Sequence, residues 1–165
     1  MDISSIFVWI HATAFATAIR ESSYLFPWIE SVHVLAITVV VGSIAVVDGR
    51  LLGVTSMNRS VASLASEVLP LTWIAFLAAV LTGASLFASH ATGYAANLEF
   101  RMKMILLVLA GINMMTFHGV MGRATANWDE SGVAPWQGRV AGSISLVLWV
   151  GIVAFGRWIG FSNVR

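Results

Sequence analysis

Two histidines, His33 and His90, have the residue type and the spacing to ligate a metal cofactor between helices. Each lies in or beside a long apolar stretch, and these two stretches follow one another along the chain. His33 lies 18 residues before Leu51 and His90 lies 21 residues after Leu69, so in a helical hairpin the imidazoles are expected within about 5 Å of one depth. Two imidazoles from different helices are an axial pair for b-type haem. The spacing predicts this pair, with hydrogen bonding near the lipid headgroups as the alternative interpretation.

A second candidate site lies on a later apolar stretch. Met114, His118 and Met121 follow an i, i+4, i+7 pattern and therefore share one face of a helix. Thioether and imidazole ligands suit Cu(I), so the pattern predicts a copper site. Because methionine also fills gaps in apolar cores, plain packing is the alternative. His118 lies 17 residues after Arg101, which places it near the opposite membrane face from the first histidine pair.

Four further polar residues of the apolar stretches have structural interpretations. Glu30 has the spacing to orient the first histidine or to interact with a helix dipole. Asp48 and Arg50 are expected to pair with each other, with Arg59 or with lipid headgroups. Asn113 is expected to donate a hydrogen bond to a neighbouring helix. None of these residues by itself predicts a reaction.

The composition of the chain is that of a membrane protein. Of its 165 residues 58% are hydrophobic and 10% are charged, whereas soluble domains carry about 45–50% apolar and about 25% charged residues. The net charge of +1, without clustered Lys and Arg, excludes a nucleic-acid partner. The absence of cysteine excludes disulfides, thiolate metal sites, iron–sulfur clusters and covalently attached haem. Whether the chain catalyses any reaction is left open.

Four stretches are long and apolar enough to cross a lipid bilayer, which takes about 20 residues each. They cover residues 28–51, 69–91, 102–121 and 140–161. The sequence therefore predicts an all-α integral membrane four-helix bundle forming a single transmembrane domain over residues 1–165. Small residues recur along the spans, which favours close packing within the bundle or in a homo-oligomer. Positive charges divide almost evenly between the two sides, so they do not fix the orientation.

The N-terminal segment, residues 3–20, is expected to form a helix lying in the membrane interface. Its apolar run is interrupted by polar side chains and is marginal for a span, which remains the alternative. His11 on this helix is expected to reach the bundle end that holds His33, as a ligand ranked below His90. Asp2 occupies the region where a secretory signal carries positive charge, so the N-terminus is expected to be retained.

Several motifs resemble a family of small bacterial four-span membrane proteins of unknown function. They are Arg20-Glu21-Ser22, Phe26-Pro27, Glu30 and His33, Asp48-Gly49-Arg50-Leu51-Leu52-Gly53, and Asn97-Leu98-Glu99-Phe100-Arg101-Met102-Lys103 with Asn113 and His118. The resemblance covers most of the chain and implies a multi-pass protein of the bacterial cytoplasmic (inner) membrane, with no activity to carry over. A histidine near the start of a span, followed by small residues, also resembles copper-resistance membrane proteins and small b-type cytochromes more distantly.

Three functional interpretations follow from these residues. The leading one is a small b-type cytochrome whose haem exchanges electrons with quinone or with a periplasmic partner protein. The second is a copper-binding or copper-transporting membrane protein that uses the methionine and histidine face. The third is an accessory or scaffold subunit without a cofactor, whose histidines are structural.

Overall fold

The computed structural model describes residues 3–55, 58–121 and 134–162, and over these ranges helices joined by short turns make up the chain, without a β-strand. The helices are α1 (Ile3–His11), α2 (Ala14–Glu21), α3 (Leu25–Leu52), α4 (Val61–Ser89), α5 (Ala91–Ala96), α6 (Leu98–Met121) and α7 (Trp136–Trp158). The prediction of an all-α protein is confirmed.

Four of these helices, α3, α4, α6 and α7, are long and apolar enough to cross a membrane. Large apolar side chains cover their outer surfaces: Leu77 is 60% exposed, Met115 72% and Val147 72%. A monomeric soluble protein rarely exposes so continuous an apolar surface. Lipid is the surrounding that fits it, and the chain is a multi-pass membrane protein with four spans forming a bundle.

Helices α3 and α4 begin before their apolar stretches because polar residues cap them. The Ser22 hydroxyl accepts from the Leu25 amide at 3.1 Å ahead of α3, and the Ser60 hydroxyl accepts from the Ser63 amide at 2.9 Å at the start of α4. Such side-chain acceptors satisfy amides that have no partner within the helix. Helix α3 ends at Gly53, whose φ of 76° suits glycine.

Helix α3 packs on both α4 and α7, and α6 packs on α7. Close approach of α3 and α7 depends on Gly142, where a Cβ would lie 3.3 Å from Leu51 Cβ. Asn113 Nδ2 on α6 donates to the Ala141 carbonyl on α7 at 3.1 Å, which confirms the expected interhelical hydrogen bond. Helices α4 and α6 have no comparable packing with each other over the described residues, so the bundle is open along that side.

The N-terminal segment forms two short helices rather than one. Helices α1 and α2 have 9 and 8 residues and are about 12–14 Å long, against about 30 Å of hydrocarbon. The Thr13 hydroxyl begins α2 by accepting from the Ala16 amide at 3.3 Å. Helix α1 packs on α5, and α2 packs on α4. Neither helix is among the candidate membrane spans of the described residues, and the break at Thr13 is one that the apolar pattern did not indicate. The interfacial position of this segment stays a prediction.

Candidate functional site

The imidazole of His33 lies between α3 and α4 with one nitrogen bound by the protein. His33 Nδ1 is 2.9 Å from Thr82 Oγ1. The single proton of the Thr82 hydroxyl is donated to the Ala78 carbonyl at 2.6 Å, so the hydroxyl oxygen accepts from His33 Nδ1. We therefore assign the imidazole proton to Nδ1, which leaves the lone pair of Nε2 available to a ligand. Thr82 orients His33, in the role that the spacing had suggested for Glu30.

Gly83 provides the space for this imidazole. A Cβ at Gly83 would lie 2.9 Å from His33 Cε1, closer than real Cβ contacts. The ring therefore lies directly against the backbone of α4, and a larger residue at position 83 would displace it. Thr82 and Gly83 together fix both the tautomer and the position of His33.

Lys103 places a positive charge of α6 beside α7. A Cβ at Gly156 would lie 3.5 Å from Lys103 Nζ, two residues before α7 ends at Trp158. Over residues 3–55, 58–121 and 134–162, Nζ has neither a hydrogen bond nor an ion pair. A charged side chain in a span is costly and generally has a function. Sequence reasoning had counted Lys103 only as a charge at a membrane border, although apolar residues flank it on both sides.

His90 lies closer to the end of the bundle than His33, in the connection between α4 and α5. Its Nδ1 is 2.9 Å from Ser89 Oγ, and its ring packs edge-on against Phe26 with centroids 5.8 Å apart. Thr82, the partner of His33, precedes His90 by eight residues, or about 12 Å of helix. The expectation of a common depth is therefore corrected.

The register of the first helical hairpin explains this correction. Counting from the apolar stretches aligned Leu51 with Leu69, but α4 begins at Val61. The contact between His33 and Thr82 aligns Leu51 with Leu64 instead. The shift of five residues is about one and a half helical turns, which separates the two histidines along the bundle.

Arg20 joins the N-terminal helices to the end of α4. Its Nη1 donates to the Ser89 carbonyl at 3.0 Å and to the His11 carbonyl at 3.3 Å, and its Nη2 donates to Thr17 Oγ1 at 3.2 Å. These bonds bring His11 to the bundle end, as expected, where it neighbours His90. Burial lowers the pKa of His90, and the positive charges of Arg20 and His11 lower it further.

An aromatic cluster of Phe7, Phe87, Tyr94 and Phe100 closes the same end of the molecule. Phe87 and Phe100 stack with centroids 5.3 Å apart, Tyr94 lies 5.5 Å from Phe100, and Phe7 meets Phe87 edge-on at 5.9 Å. Burial raises the pKa of Tyr94, helped by the nearby carboxylate of Glu30. The cluster ties α1, α4, α5 and α6 together beside the His33 region.

The predicted copper ligands lie on α6 towards the opposite end. His118 Nδ1 is 2.9 Å from the Met114 carbonyl, and both side chains are exposed rather than packed inside the bundle. The side chain of Met121 lies outside the described residues. The described part of the chain contains no group of three or more His, Asp or Glu side chains able to hold a metal ion. Copper binding here stays a prediction.

Asp48 and Arg50 are buried at that opposite end, where Asp48 Oδ2 has no hydrogen-bond partner over the described residues. Arg50 Nε donates to the Arg59 carbonyl at 2.6 Å, and the Asp48 carboxyl interacts with Ser145 of α7. Arg59 forms an ion pair with Glu67. Arg50 therefore reaches Arg59, one of its expected partners, through the backbone, and does not pair with Asp48.

Fold and site together define a four-span helical membrane protein with a histidine and a lysine between its spans. The chain belongs to the Family of unknown function (DUF6644), whose model matches residues 6–162. No curated protein and no solved structure matches the chain. The match confirms the resemblance to a family of unknown function, while the likeness to copper-resistance proteins and b-type cytochromes stays a resemblance.

Proposed function

We propose that this chain is a small cytochrome b-like membrane protein in which His33 Nε2 ligates haem between the spans. The observation that carries the proposal is the hydrogen bond from His33 Nδ1 to Thr82 Oγ1 at 2.9 Å. Metal-ligating histidines usually donate their other ring N–H to an acceptor, which fixes the tautomer and the ring orientation. The chain has no cysteine, so an imidazole is the natural axial ligand.

The open side of the bundle supports the same function. Helices α4 and α6 pack on α3 and α7 rather than on each other over the described residues, and His33 and Lys103 lie between these elements. Helical bundles hold cofactors between facing helices, and on this proposal an apolar porphyrin would lie along the open side. Bound haem would supply one-electron chemistry, and His33 would hold it and orient it.

His90 is the second sequence-predicted ligand, but its position about 12 Å along α4 from the level of His33 does not favour it on the same iron. We therefore expect His33→Ala to remove haem and His90→Ala to retain it. Electron exchange with quinone or a periplasmic protein, and location in the bacterial cytoplasmic membrane, are parts of this proposal. The location follows from the resemblance to small bacterial membrane proteins, and the electron exchange follows from the one-electron chemistry that haem would supply.

The test is a visible absorption spectrum of the protein purified in mild detergent, oxidised and dithionite-reduced, with haem and metal content measured on the same sample. We expect about one haem per chain and an at least roughly tenfold loss in His33→Ala, since the axial bond is removed. His118→Ala is the matched control, because it removes an exposed histidine at the other end. Thr82→Val, which lacks the acceptor hydroxyl, should retain less haem than the wild type.

Two results would overturn this function: a protein that stays colourless after haem is added, or a haem spectrum unchanged in His33→Ala. A colourless sample that contains copper would favour the alternative at Met114 and His118. A colourless sample without metal would favour the accessory role without a cofactor.

A further inference from the structure

We propose that Asp48 is a proton-binding site between α3 and α7, where the buried carboxyl keeps its proton under conditions in which exposed carboxyls are ionised. The observation that carries the proposal is the oxygen Oδ2, which is buried and has no hydrogen-bond partner over the described residues. The residue as a whole is 6% exposed. The site lies at the other end of the bundle from His33 and does not depend on the proposed haem.

The position of the carboxyl follows from the close packing of α3 on α7. A Cβ at Gly142 of α7 would lie 3.4 Å from the Asp48 carbonyl oxygen and 3.3 Å from Leu51 Cβ. Helical side chains tilt towards the N-terminus of their own helix. Because α7 runs antiparallel to α3 in the four-span bundle, the Asp48 side chain lies towards the turn of α7 that follows Gly142. Ser145 lies on that turn and on the same helix face, and its hydroxyl interacts with the carboxyl.

The charged groups at this end of the bundle bind elsewhere. On α3 itself, Arg50 Nε donates to the Arg59 carbonyl. The register of the first helical hairpin places Glu67 of α4 at the level of Asp48, but Glu67 is exposed and forms an ion pair with Arg59. Arg139, near the start of α7, is exposed, and α2, which also packs on α3, lies at the other end. Over the described residues none of these groups forms an ion pair with Asp48.

A proton is the simplest ligand for a carboxyl in this position. An ionised carboxylate that is buried without a partner costs so much free energy that such groups generally become neutral. Calcium and magnesium ions take about six or more oxygen ligands, and the described residues contain no group of three or more His, Asp or Glu side chains. Asp48 lies four residues before the end of α3 at Leu52, or about 6 Å, which gives a proton a short path to the water at that membrane face.

Infrared spectroscopy tests the proposal, because a protonated carboxyl has a C=O stretching band that a carboxylate lacks. The full-length protein is measured in a detergent without ester groups at about pH 5.5, where exposed carboxyls are ionised. The wild type should show the band and Asp48→Asn should lose it. Glu67→Gln is the matched control, since it removes an exposed carboxyl at the same level and should keep the band. Ser145→Ala should shift the band without removing it, because a hydroxyl that interacts with the carboxyl is lost.

A second measurement detects the same proton through stability. Because the folded protein holds a proton that the unfolded chain releases, raising the pH from about 5.5 to about 8 should destabilise the wild type relative to Asp48→Asn. A wild type without the band, or a band retained in Asp48→Asn, would overturn the proposal. Failure of Asp48→Asn to fold would also overturn it, since asparagine has the shape of the neutral acid. Stabilisation by sodium of the wild type but not of Asp48→Asn would overturn it in favour of a metal cation.

Discussion

The two ends of the bundle treat buried positive charge in opposite ways. At the Arg50 end, Arg50 is 3% exposed and its Nε donates to the Arg59 carbonyl at 2.6 Å, although the buried Asp48 Oδ2 has no hydrogen-bond partner over the described residues. At the His33 end, the Lys103 ammonium has neither a hydrogen bond nor an ion pair over the described residues. A buried group that the protein itself binds stabilises the fold, whereas one left unbound costs free energy unless a ligand binds it. On the proposed function, the Arg50 end holds the spans together and the His33 end binds the ligand.

The largest effect on stability is expected at the Arg50 end. Arg50→Ala removes a charge-assisted hydrogen bond and leaves the Arg59 carbonyl without it, and bonds to charged groups contribute about 1.5–3 kcal/mol. We expect a loss of about 2–3 kcal/mol in unfolding experiments in detergent, with porphyrin binding unchanged. Arg59→Ala is the control, because its exposed ion pair with Glu67 should contribute little. Equal losses in the two variants would remove the structural half of the comparison.

A smaller effect on stability and a larger one on binding are expected from Gly83→Ala. Its Cβ would lie 2.9 Å from His33 Cε1, and overpacking typically costs about 1–3 kcal/mol, of which helix propensity offsets about 1 kcal/mol. The net loss of stability should be below about 2 kcal/mol, while displacement of the imidazole should weaken haem binding about tenfold. Gly42→Ala on α3 is the control, because its Cβ would have no neighbour within 4 Å. If both variants bind haem like the wild type, Gly83 does not position His33.

The number of spans was predictable from the sequence, but the helix ends were not. Hydropathy indicates which residues lipid surrounds, and those residues are a part of each helix. Hydrogen-bonded caps decide where a helix begins, and Ser60 starts α4 at Val61, well before the apolar stretch. This difference shifted the hairpin register and separated His90 from His33. The break at Thr13 has the same origin, because one hydroxyl there begins a new helix.

His33 is the one residue of the candidate site for which the sequence indicated both a role and a position between helices. Residue type marked it, since a histidine in an apolar span needs a partner or a function. Thr82 and Gly83 are ordinary residues of a span, and their importance depends on a register that hydropathy does not fix. The position of the Lys103 ammonium beside Gly156, 53 residues later in the chain, depends on how α6 packs on α7, which hydropathy does not fix either.

The smallest expected effect is a pH response of the junction around His90. Burial, and then the charges of Arg20 and His11, lower the pKa of His90 in the folded protein below its ordinary 6.5. Between pH 6.5 and the folded pKa, His90 therefore binds a proton in the unfolded chain but not in the folded one. The contribution to stability is therefore complete above pH 6.5 and is lost as the pH falls from there through the folded pKa. Unfolding measured across that range should show a decline towards acid that is shallower in His90→Gln, because glutamine does not titrate. An equally steep decline in the variant would show that a group other than His90 binds the proton. The His33 end would then differ from the Arg50 end only in having a charged group without a protein partner over the described residues.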